Sequence, residues 1–393
     1  MFTNVTNFIT FVIEFAFTFV IQINSSVNFS SLNYLEIKEL SVYGRYISNL
    51  QLQSFLKGDS VQNKIAPIGK SVENRLIHKV TLGSGKIKIL MWSQMHGNET
   101  TTTKAVLDLI NYLNKNDDLA NQILSSVTIT IVPVLNPDGA VFYTRENANT
   151  VDLNRDALEL SQPESRILRA LYDEVKPDYC FNLHDQRTIF NVGSLEKPAT
   201  LSFLAPAYDI HRNVSASRGQ SMKIIVAIHK ALSSLIPDQI GRYDDAFNPN
   251  CVGDTFQLLG TPTILFEAGH FPDDYQREQT REFIFYALIK AISVIAQGKI
   301  EAYNLDTYFD IPENKKRYFD LLLLNANLIN KKYEHIIGIL YKEELNEETI
   351  MFNPFIEATG ELKDSFGHKY LNCKDQNDLD FLKSDRKLYQ LLF

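Results

Sequence analysis

The sequence has very little cysteine. Of its 393 residues only Cys180, Cys251 and Cys373 carry a thiol, and they lie far apart in the chain. A disulfide framework, or a zinc site built from cysteines, needs more thiols at closer spacing. We therefore expect unpaired thiols in a globular protein held together by its core, for which an apolar content of 45% is typical.

An excess of positive charge is also missing. Lys and Arg total 39 against 47 Asp and Glu, which leaves a net charge of -8. Proteins that bind DNA or RNA neutralise phosphate groups with clustered Lys and Arg side chains. The charge balance therefore disfavours a nucleic-acid partner.

The N-terminal residues lack the basic segment of a secretory signal. An apolar run extends over residues 8–23, but Glu14 interrupts it and the first basic residue is Lys38. A signal peptide begins with a positively charged segment, and a membrane-spanning helix needs about 20 apolar residues. We predict a cytoplasmic protein with no firm membrane partner.

Strand-like and helix-like patterns alternate along most of the chain. This alternation predicts an α/β fold, in which helices cover both faces of a mixed, mostly parallel twisted sheet. The strand-like stretches Arg75–Leu82 and Lys86–Trp92 are separated by a Gly-Ser-Gly turn and are predicted to form a hairpin.

The pattern changes after Gly298, where short strand-like runs predict a small, partly β unit. The predicted organisation is an N-terminal extension over residues 1–40, a main domain over 41–300 and an α+β accessory unit over 301–393.

The first candidate metal ligands lie in His96-Gly97-Asn98-Glu99, between a predicted strand and a predicted helix. A His and a Glu at this spacing can bind one metal ion, and catalytic zinc sites use three protein ligands and a water molecule. An acid in the first turn of a helix is also favoured by the helix dipole, so Glu99 alone does not establish a site. His184 is the best third candidate because it follows the apolar run Tyr179–Leu183, and ligands gather at the carboxyl ends of strands in open α/β sheets. His270 is a second candidate.

Three further charged residues are candidates for catalysis or substrate binding. Glu267 follows the predicted strand Thr263–Phe266, where a lone buried carboxylate would be costly without a partner or a function. Beside a zinc-bound water it would act as a general base and then as a general acid. The planar guanidinium groups of Arg145 and Arg155 match an anionic group of a substrate or a developing oxyanion.

The order of these motifs resembles the carboxypeptidase A-like zinc metallocarboxypeptidases, within the superfamily that also contains aspartoacylase. The motifs in order are His96-Gly97-Asn98-Glu99, Asn136-Pro137-Asp138-Gly139, Arg145 ahead of Asp152-Leu153-Asn154-Arg155, His184 and Glu267. One such motif is weak evidence, but five in order are specific. The resemblance implies a phosphorylase/hydrolase-like fold of the zinc-peptidase type, with 41–300 as the catalytic domain.

The resemblance also implies a set of roles. His96, Glu99 and His184 would bind one zinc ion per chain. The protein would be a hydrolase, a metalloprotease that removes the C-terminal residue of a peptide.

The remaining roles follow from the same family pattern. Arg145 would stabilise the oxyanion, and Asn154 and Arg155 would bind the free carboxylate of the substrate. Glu267 would take a proton from the zinc-bound water and pass it to the leaving amine.

Two more residues are assigned by the family pattern alone. Tyr243 is the only tyrosine near the position of the family's mobile, substrate-capping tyrosine, although an ordinary loop or core tyrosine fits there too. Asp254 lies where specificity residues occur in the family, and an acid there favours a basic side chain on the substrate. The chain departs from the family at Asp156-Ala157, where the family often has Asn-Phe, and this change would alter the wall of the pocket.

Two other functions are open at this point. The aspartoacylase and succinylglutamate desuccinylase branch has similar motifs and a β-containing C-terminal unit, and it cleaves N-acyl amino acids. Asn136-Pro137-Asp138-Gly139 favours a peptidase. The predicted substrate is therefore a peptide or, in the alternative, an N-acyl amino acid, in both cases with a free carboxylate. A catalytically inactive binding module is disfavoured because every expected ligand, and Glu267, is present.

Overall fold

The computed structural model describes residues 29, 32–58, 61 and 64–393. The apolar run at 8–23 lies outside the described residues. Within them, every helix is too short or too polar to cross a membrane. The three cysteines are unpaired, as expected. The boundaries that divide the chain at residues 40 and 300 stay predictions.

Residues 34–393 form one compact unit of strands and helices. The strands are β1 Ile65–Lys70, β2 Leu76–Leu82, β3 Ile87–Ser93, β4 Val127–Val132, β5 Tyr179–Asp185, β6 Phe190–Val192, β7 Leu201–Leu204, β8 Ile240–Arg242, β9 Thr263–Ala268, β10 Asn314–Lys316, β11 Tyr318–Leu324, β12 Ile336–Asn346, β13 Thr349–Gly360 and β14 Phe366–Asn372. The α-helices are α1 Asn49–Leu56, α2 Thr101–Leu113, α3 Asp118–Ser126, α4 Pro137–Phe142, α5 Pro163–Val175, α6 Ala216–Leu232, α7 Val252–Leu258, α8 Glu278–Ala296, α9 Thr307–Asp310, α10 Gln376–Ser384 and α11 Arg386–Leu392.

The central sheet has eight strands in the order β1-β2-β4-β3-β5-β9-β7-β8. Its middle strands β4, β3, β5 and β9 are parallel, and antiparallel pairs join β1 to β2, β2 to β4 and β7 to β9. Helices flank this sheet, which confirms the predicted mixed α/β fold.

The core explains why the middle strands have nearly continuous apolar sequences. In β3 the side chains from Ile89 to Trp92 are all buried, since the strand lies inside the sheet with helices over it. Trp92 packs edge-on against Phe256 of α7, with ring centroids 5.4 Å apart. Tyr112 of α2 packs in the same manner against Phe285 of α8, at 5.8 Å.

The predicted hairpin between β2 and β3 is wrong. Strand β4 lies between them, antiparallel to β2 and parallel to β3. The Gly-Ser-Gly turn packs against the chain that leads into β4, where Ser84 N donates a hydrogen bond to Leu124 O at 2.9 Å. A Cβ on Gly85 would lie 1.9 Å from the carbonyl carbon of Ser126. The glycine therefore permits this close approach, and the turn spans the strand that separates β2 from β3.

The strands after residue 317 form a separate sheet, in the order β13-β12-β11-β14. Strands β12 and β13 pair along a hairpin that extends from Ile336 to Gly360. Helices α10 and α11 cover this sheet through Leu382, Leu388 and Leu392. The strand-like runs predicted in this region are present, and the strands are longer than predicted.

Candidate active site

The predicted site residues gather at the carboxyl ends of β3, β5 and β9. His184 and Glu267 are direct partners across the β5–β9 pair, near the end of each strand. His96 and Glu99 lie in the connection between β3 and α2. His184 and Glu267 were expected to follow their strands. The strands are longer than predicted, and each of these residues is the second-to-last residue of its strand.

Two histidines and one glutamate meet at this edge of the sheet. His96 Nδ1 lies 2.8 Å from Glu99 Oε1, and His184 Nδ1 lies 2.8 Å from Glu99 Oε2. The two Nδ1 atoms are 3.1 Å apart. One ligand atom from each of the three residues lies within 4.8 Å of the others.

This donor set fits zinc. Two imidazole nitrogens and one carboxylate are a common set of three protein ligands in catalytic zinc sites. All three side chains are buried, and the two Nδ1 atoms face the same carboxylate. Burial opposes ionisation of Glu99, but the neighbouring His96 and His184 hold its pKa below the usual range, so Glu99 is available as an anionic ligand.

Asp152 links two of the predicted site residues, and the sequence analysis assigned it no role. Its Oδ1 lies 2.9 Å from His96 Nε2, the ring nitrogen that faces away from Glu99. Its Oδ2 accepts hydrogen bonds from Arg145 Nε at 3.1 Å and Nη2 at 3.0 Å. A metal-binding histidine commonly donates its other N–H to a carboxylate, which fixes the orientation of the ring. The sequence carried no signal for this role beyond the place of Asp152 in the motif.

We expect Asp152→Asn to weaken zinc binding by about 10- to 100-fold, because the amide supports the His96 ring less well than the carboxylate does. The measurement is the zinc affinity in competition with a chelating dye. Asp244→Asn is a suitable control, since Asp244 is exposed and pairs with Arg212. An unchanged affinity in Asp152→Asn would contradict the positioning role.

Glu267 is the carboxylate next to the three metal-ligand candidates. Its Oε2 is buried and has no hydrogen-bond partner among the described residues. Burial raises the pKa of Glu267, and the nearby Glu99 and Asp185 carboxylates raise it further. An unpaired carboxylate with a raised pKa at this place has the properties of a group that transfers protons.

Asn154 and Arg155 lie beside α7. Asn154 Oδ1 accepts a hydrogen bond from Val252 N at 3.0 Å. Arg155 is exposed, and its Nη1 lies 3.1 Å from Cys251 Sγ. Its Nη1 also donates to Asn154 O at 2.6 Å, and within the described part of the chain no carboxylate pairs with Arg155. Its guanidinium is therefore available to an anion from solution.

Tyr243 and Asp254 face the same space. Tyr243 is half-buried, and its ring lies 5.3 Å from that of Phe190. Asp254 is buried, and a hydrogen bond from Asn248 N reaches its carboxylate at 3.0 Å. Burial raises the pKa of Asp254 to about 6, although Arg155 and Arg218 act in the opposite direction.

A single cavity of about 850 Å³ is lined by all the residues that were assigned to the site. Its lining includes His96, Glu99, Arg145, Asn154, Arg155, His184, Tyr243, Asp254 and Glu267. His270, the other candidate for third ligand, instead packs between the rings of Tyr275 and His368 at 4.7 and 4.2 Å. The sequence analysis missed Arg45, Tyr341, Glu343 and Phe355, which also line the cavity but lie far from the motifs in sequence.

Comparison with protein families identifies the same region. Residues 52–185 match the family model described as zinc carboxypeptidase. The matched stretch contains the three metal-ligand candidates and Arg145, Asn154 and Arg155, while Tyr243, Asp254 and Glu267 lie beyond it. The resemblance predicted from the motifs is confirmed.

Curated relatives point to the same family. The chain is 30% identical to carboxypeptidase SOL1 of Arabidopsis thaliana in an alignment 199 residues long, and this alignment covers 42% of this chain and 40% of that protein. It is 30% identical to carboxypeptidase D of Mus musculus over 128 residues, 26% of this chain and 9% of that protein. The chain thus spans well under half of the length of these relatives. Since they are carboxypeptidases, the comparisons do not favour the N-acyl amino acid deacylase.

Solved structures share the fold. A metallo-carboxypeptidase from Burkholderia cenocepacia superposes with a TM-score of 0.51 at 21% identity, over 64% of this chain and 69% of that one. Bovine thrombin-activatable fibrinolysis inhibitor superposes with a TM-score of 0.52 at 14% identity, over 66% of this chain and 99% of that one. At these identities the likeness concerns the fold alone.

Proposed function

We propose that this chain is a zinc-dependent metallocarboxypeptidase, which hydrolyses the C-terminal peptide bond of a peptide with a free carboxylate. The observation that carries the proposal is the single cavity. It joins three metal-ligand candidates with Glu267, whose Oε2 has no hydrogen-bond partner among the described residues, and with Arg155, which pairs with no carboxylate in the same part of the chain.

Arg155 and Asn154 would select the end of the peptide. The guanidinium of Arg155 presents parallel donors to a carboxylate, and such a pair is both strong and directional. Asn154 is held by Val252 N through its Oδ1, so its amide group has a fixed place beside Arg155. A substrate whose C-terminal carboxylate is bound by Arg155 and Asn154 would have its last peptide bond beside the metal-ligand candidates. Its internal peptide bonds would lie farther away.

The reaction would depend on Glu267 and Arg145. His96, Glu99 and His184 would hold a zinc ion, which would supply a water molecule of lowered pKa and a Lewis acid for the scissile carbonyl. Glu267 would accept the proton of the attacking water at its unpaired Oε2 and deliver it to the leaving amine. Arg145 Nη1 lies 3.4 Å from Glu99 Oε1, at the edge of the ligand cluster, where it would stabilise the oxyanion that develops.

Asp254 gives the proposal a side-chain preference. A buried carboxylate in the cavity wall, near Arg155, would pair with a basic side chain on the last residue of the substrate. A metallo-carboxypeptidase from Pseudomonas aeruginosa, with a TM-score of 0.50 over 63% of this chain, was solved with (2-guanidinoethylmercapto)succinic acid. That compound combines a guanidino group with carboxylates, the same two charges that Asp254 and Arg155 would bind here.

The preference for a basic residue should depend on pH. With a pKa of about 6, Asp254 is mostly protonated at pH 5 and ionised at pH 7.5. We expect the kcat/KM ratio of an Arg-ending to a Leu-ending peptide to rise roughly tenfold over this range, as the ionised fraction does. The ratio cancels pH effects on the chemistry itself. Burial raises the pKa of Cys251 to about 11, so this thiol does not titrate in the same pH range.

Asp254→Asn is the matched test of this prediction. The ratio should be low and independent of pH in this variant, and it should rise with pH in Asp310→Asn, whose side chain is exposed and lies outside the cavity. A pH-dependent ratio in Asp254→Asn would show that another group sets the preference.

The experiment that tests the proposed function offers zinc-loaded protein a panel of free peptides and a panel of N-acyl amino acids, with the products identified by mass. We expect stepwise loss of single residues from the C-terminus of the peptides. Release of acyl groups from the small substrates alone would contradict the proposal and assign the site to a deacylase.

A further inference from the structure

The wall of the catalytic cavity includes the β12–β13 hairpin of the C-terminal sheet. Tyr341, Lys342 and Glu343 of β12 and Phe355 of β13 line the cavity together with the metal-ligand candidates. These four residues lie outside the stretch that matches the family model. This part of the cavity wall therefore lies outside the region that the family model covers.

An ion pair between a buried arginine and a partly exposed glutamate anchors the hairpin to the catalytic body. Arg45 Nη2 lies 3.0 Å from Glu343 Oε2, and only 5% of the Arg45 side chain is exposed. The buried hydroxyl of Tyr143 donates a second hydrogen bond to the same carboxylate. Arg45 O in turn accepts a hydrogen bond from Thr100 Oγ1 at 2.7 Å, directly after Glu99. The hairpin is thus connected to the immediate neighbourhood of the metal-ligand candidates.

A second set of contacts holds the same strand. Tyr341 N donates to Asp320 Oδ2 at 2.7 Å, and Tyr275 OH donates to Asp320 Oδ1 at 2.8 Å. The rings of Tyr275 and Tyr341 pack edge-on with centroids 5.6 Å apart. Since β12 is held at both Tyr341 and Glu343, the hairpin is a fixed wall.

We infer that this hairpin restricts the proposed peptidase to short peptides. The argument rests on the proposed function, in which Asn154 and Arg155 bind the C-terminal end of the substrate. The chain upstream of the scissile bond must then meet the rest of the wall, including Tyr341, Glu343 and Phe355. A cavity of about 850 Å³ holds a ligand of drug-like size, which corresponds to roughly three or four residues. A longer peptide would have to extend past the hairpin, and a fixed wall would hinder its binding.

The test is a series of N-blocked peptides of three to ten residues that share the same C-terminal residues. We expect kcat/KM of the zinc-loaded protein to fall by about tenfold or more from the shortest to the longest peptide, because the hairpin excludes the longer chains. Phe355→Ala removes a half-buried ring from the wall and should raise the ratio of long-peptide to short-peptide kcat/KM. A merely structural defect would lower kcat/KM at every length and leave this ratio unchanged.

A pair of adjacent variants tests the anchor. Glu343→Gln weakens the contact with Arg45 and Tyr143 and should raise the same ratio, whereas Glu344→Gln makes the same change at an exposed position and should not. Equal ratios in these two variants would overturn the anchoring role.

The possible outcomes of the length series contradict different claims. A wild-type kcat/KM that is independent of peptide length, or a ratio unchanged by Phe355→Ala, would overturn the length limit and leave the peptidase intact. The absence of cleavage at every length would contradict the proposed function and, with it, the length limit.

Discussion

Glu267→Gln is expected to lower kcat by about 10²- to 10⁴-fold while zinc remains bound at one ion per chain. The amide of Gln fills the volume of the carboxylate but cannot accept and release the proton. Glu267 is not among the three residues whose ligand atoms converge, so the metal site should be unaffected. The measurements are steady-state kinetics on a free peptide and zinc content by elemental analysis of the same sample.

The stability of this variant provides a useful control. Burial raises the pKa of Glu267, which means that the fold disfavours its charged form, and a neutral Gln removes that cost. We therefore expect a thermal unfolding temperature no lower than that of the unaltered protein. A folded, zinc-loaded Glu267→Gln protein that retains full turnover would contradict the assigned role.

His96→Ala is expected to lose the metal. It removes one of the three ligands and leaves only Glu99 and His184, whose Oε2 and Nδ1 atoms, respectively, lie 2.8 Å apart. Catalytic zinc sites need about three protein ligands, so the zinc content should fall from one ion per chain to nearly none after gel filtration. Turnover should fall with it, in contrast to Glu267→Gln, where turnover is lost and zinc is kept.

His211→Ala is the matched control for this loss. His211 is exposed and lies outside the cavity, so its removal should leave both zinc content and kcat/KM unchanged. Full zinc occupancy in His96→Ala would show that the ligand set is wrong.

The sequence analysis was most successful where motifs and strand ends coincide. In parallel strands the carboxyl ends meet at one edge of the sheet, so residues at those ends are expected to be neighbours. This reasoning brought together His96, His184 and Glu267, and the structure has them lining one cavity. The chemical role of each residue stays a prediction that the variants above test.

The pairing of segments that are distant in the sequence was harder to predict. The hairpin predicted from the Gly-Ser-Gly turn failed because the pattern of one strand does not tell which strand lies beside it. Asp152, Arg45 and Glu343 were missed for a related reason. Their importance depends on contacts between residues that are 56 positions apart for Asp152 and His96, and 298 positions apart for Arg45 and Glu343.

The central claim is that the cavity binds the free C-terminal carboxylate of a peptide and hydrolyses the adjacent bond. Its most direct test compares two peptides of identical sequence, one with a free C-terminus and one amidated, on the zinc-loaded protein, with products read by mass. We expect the free peptide to lose its last residue and the amidated peptide to stay intact, since Arg155 has no carboxylate to bind in the amidated peptide. Cleavage of both peptides at equal rates would contradict the central claim.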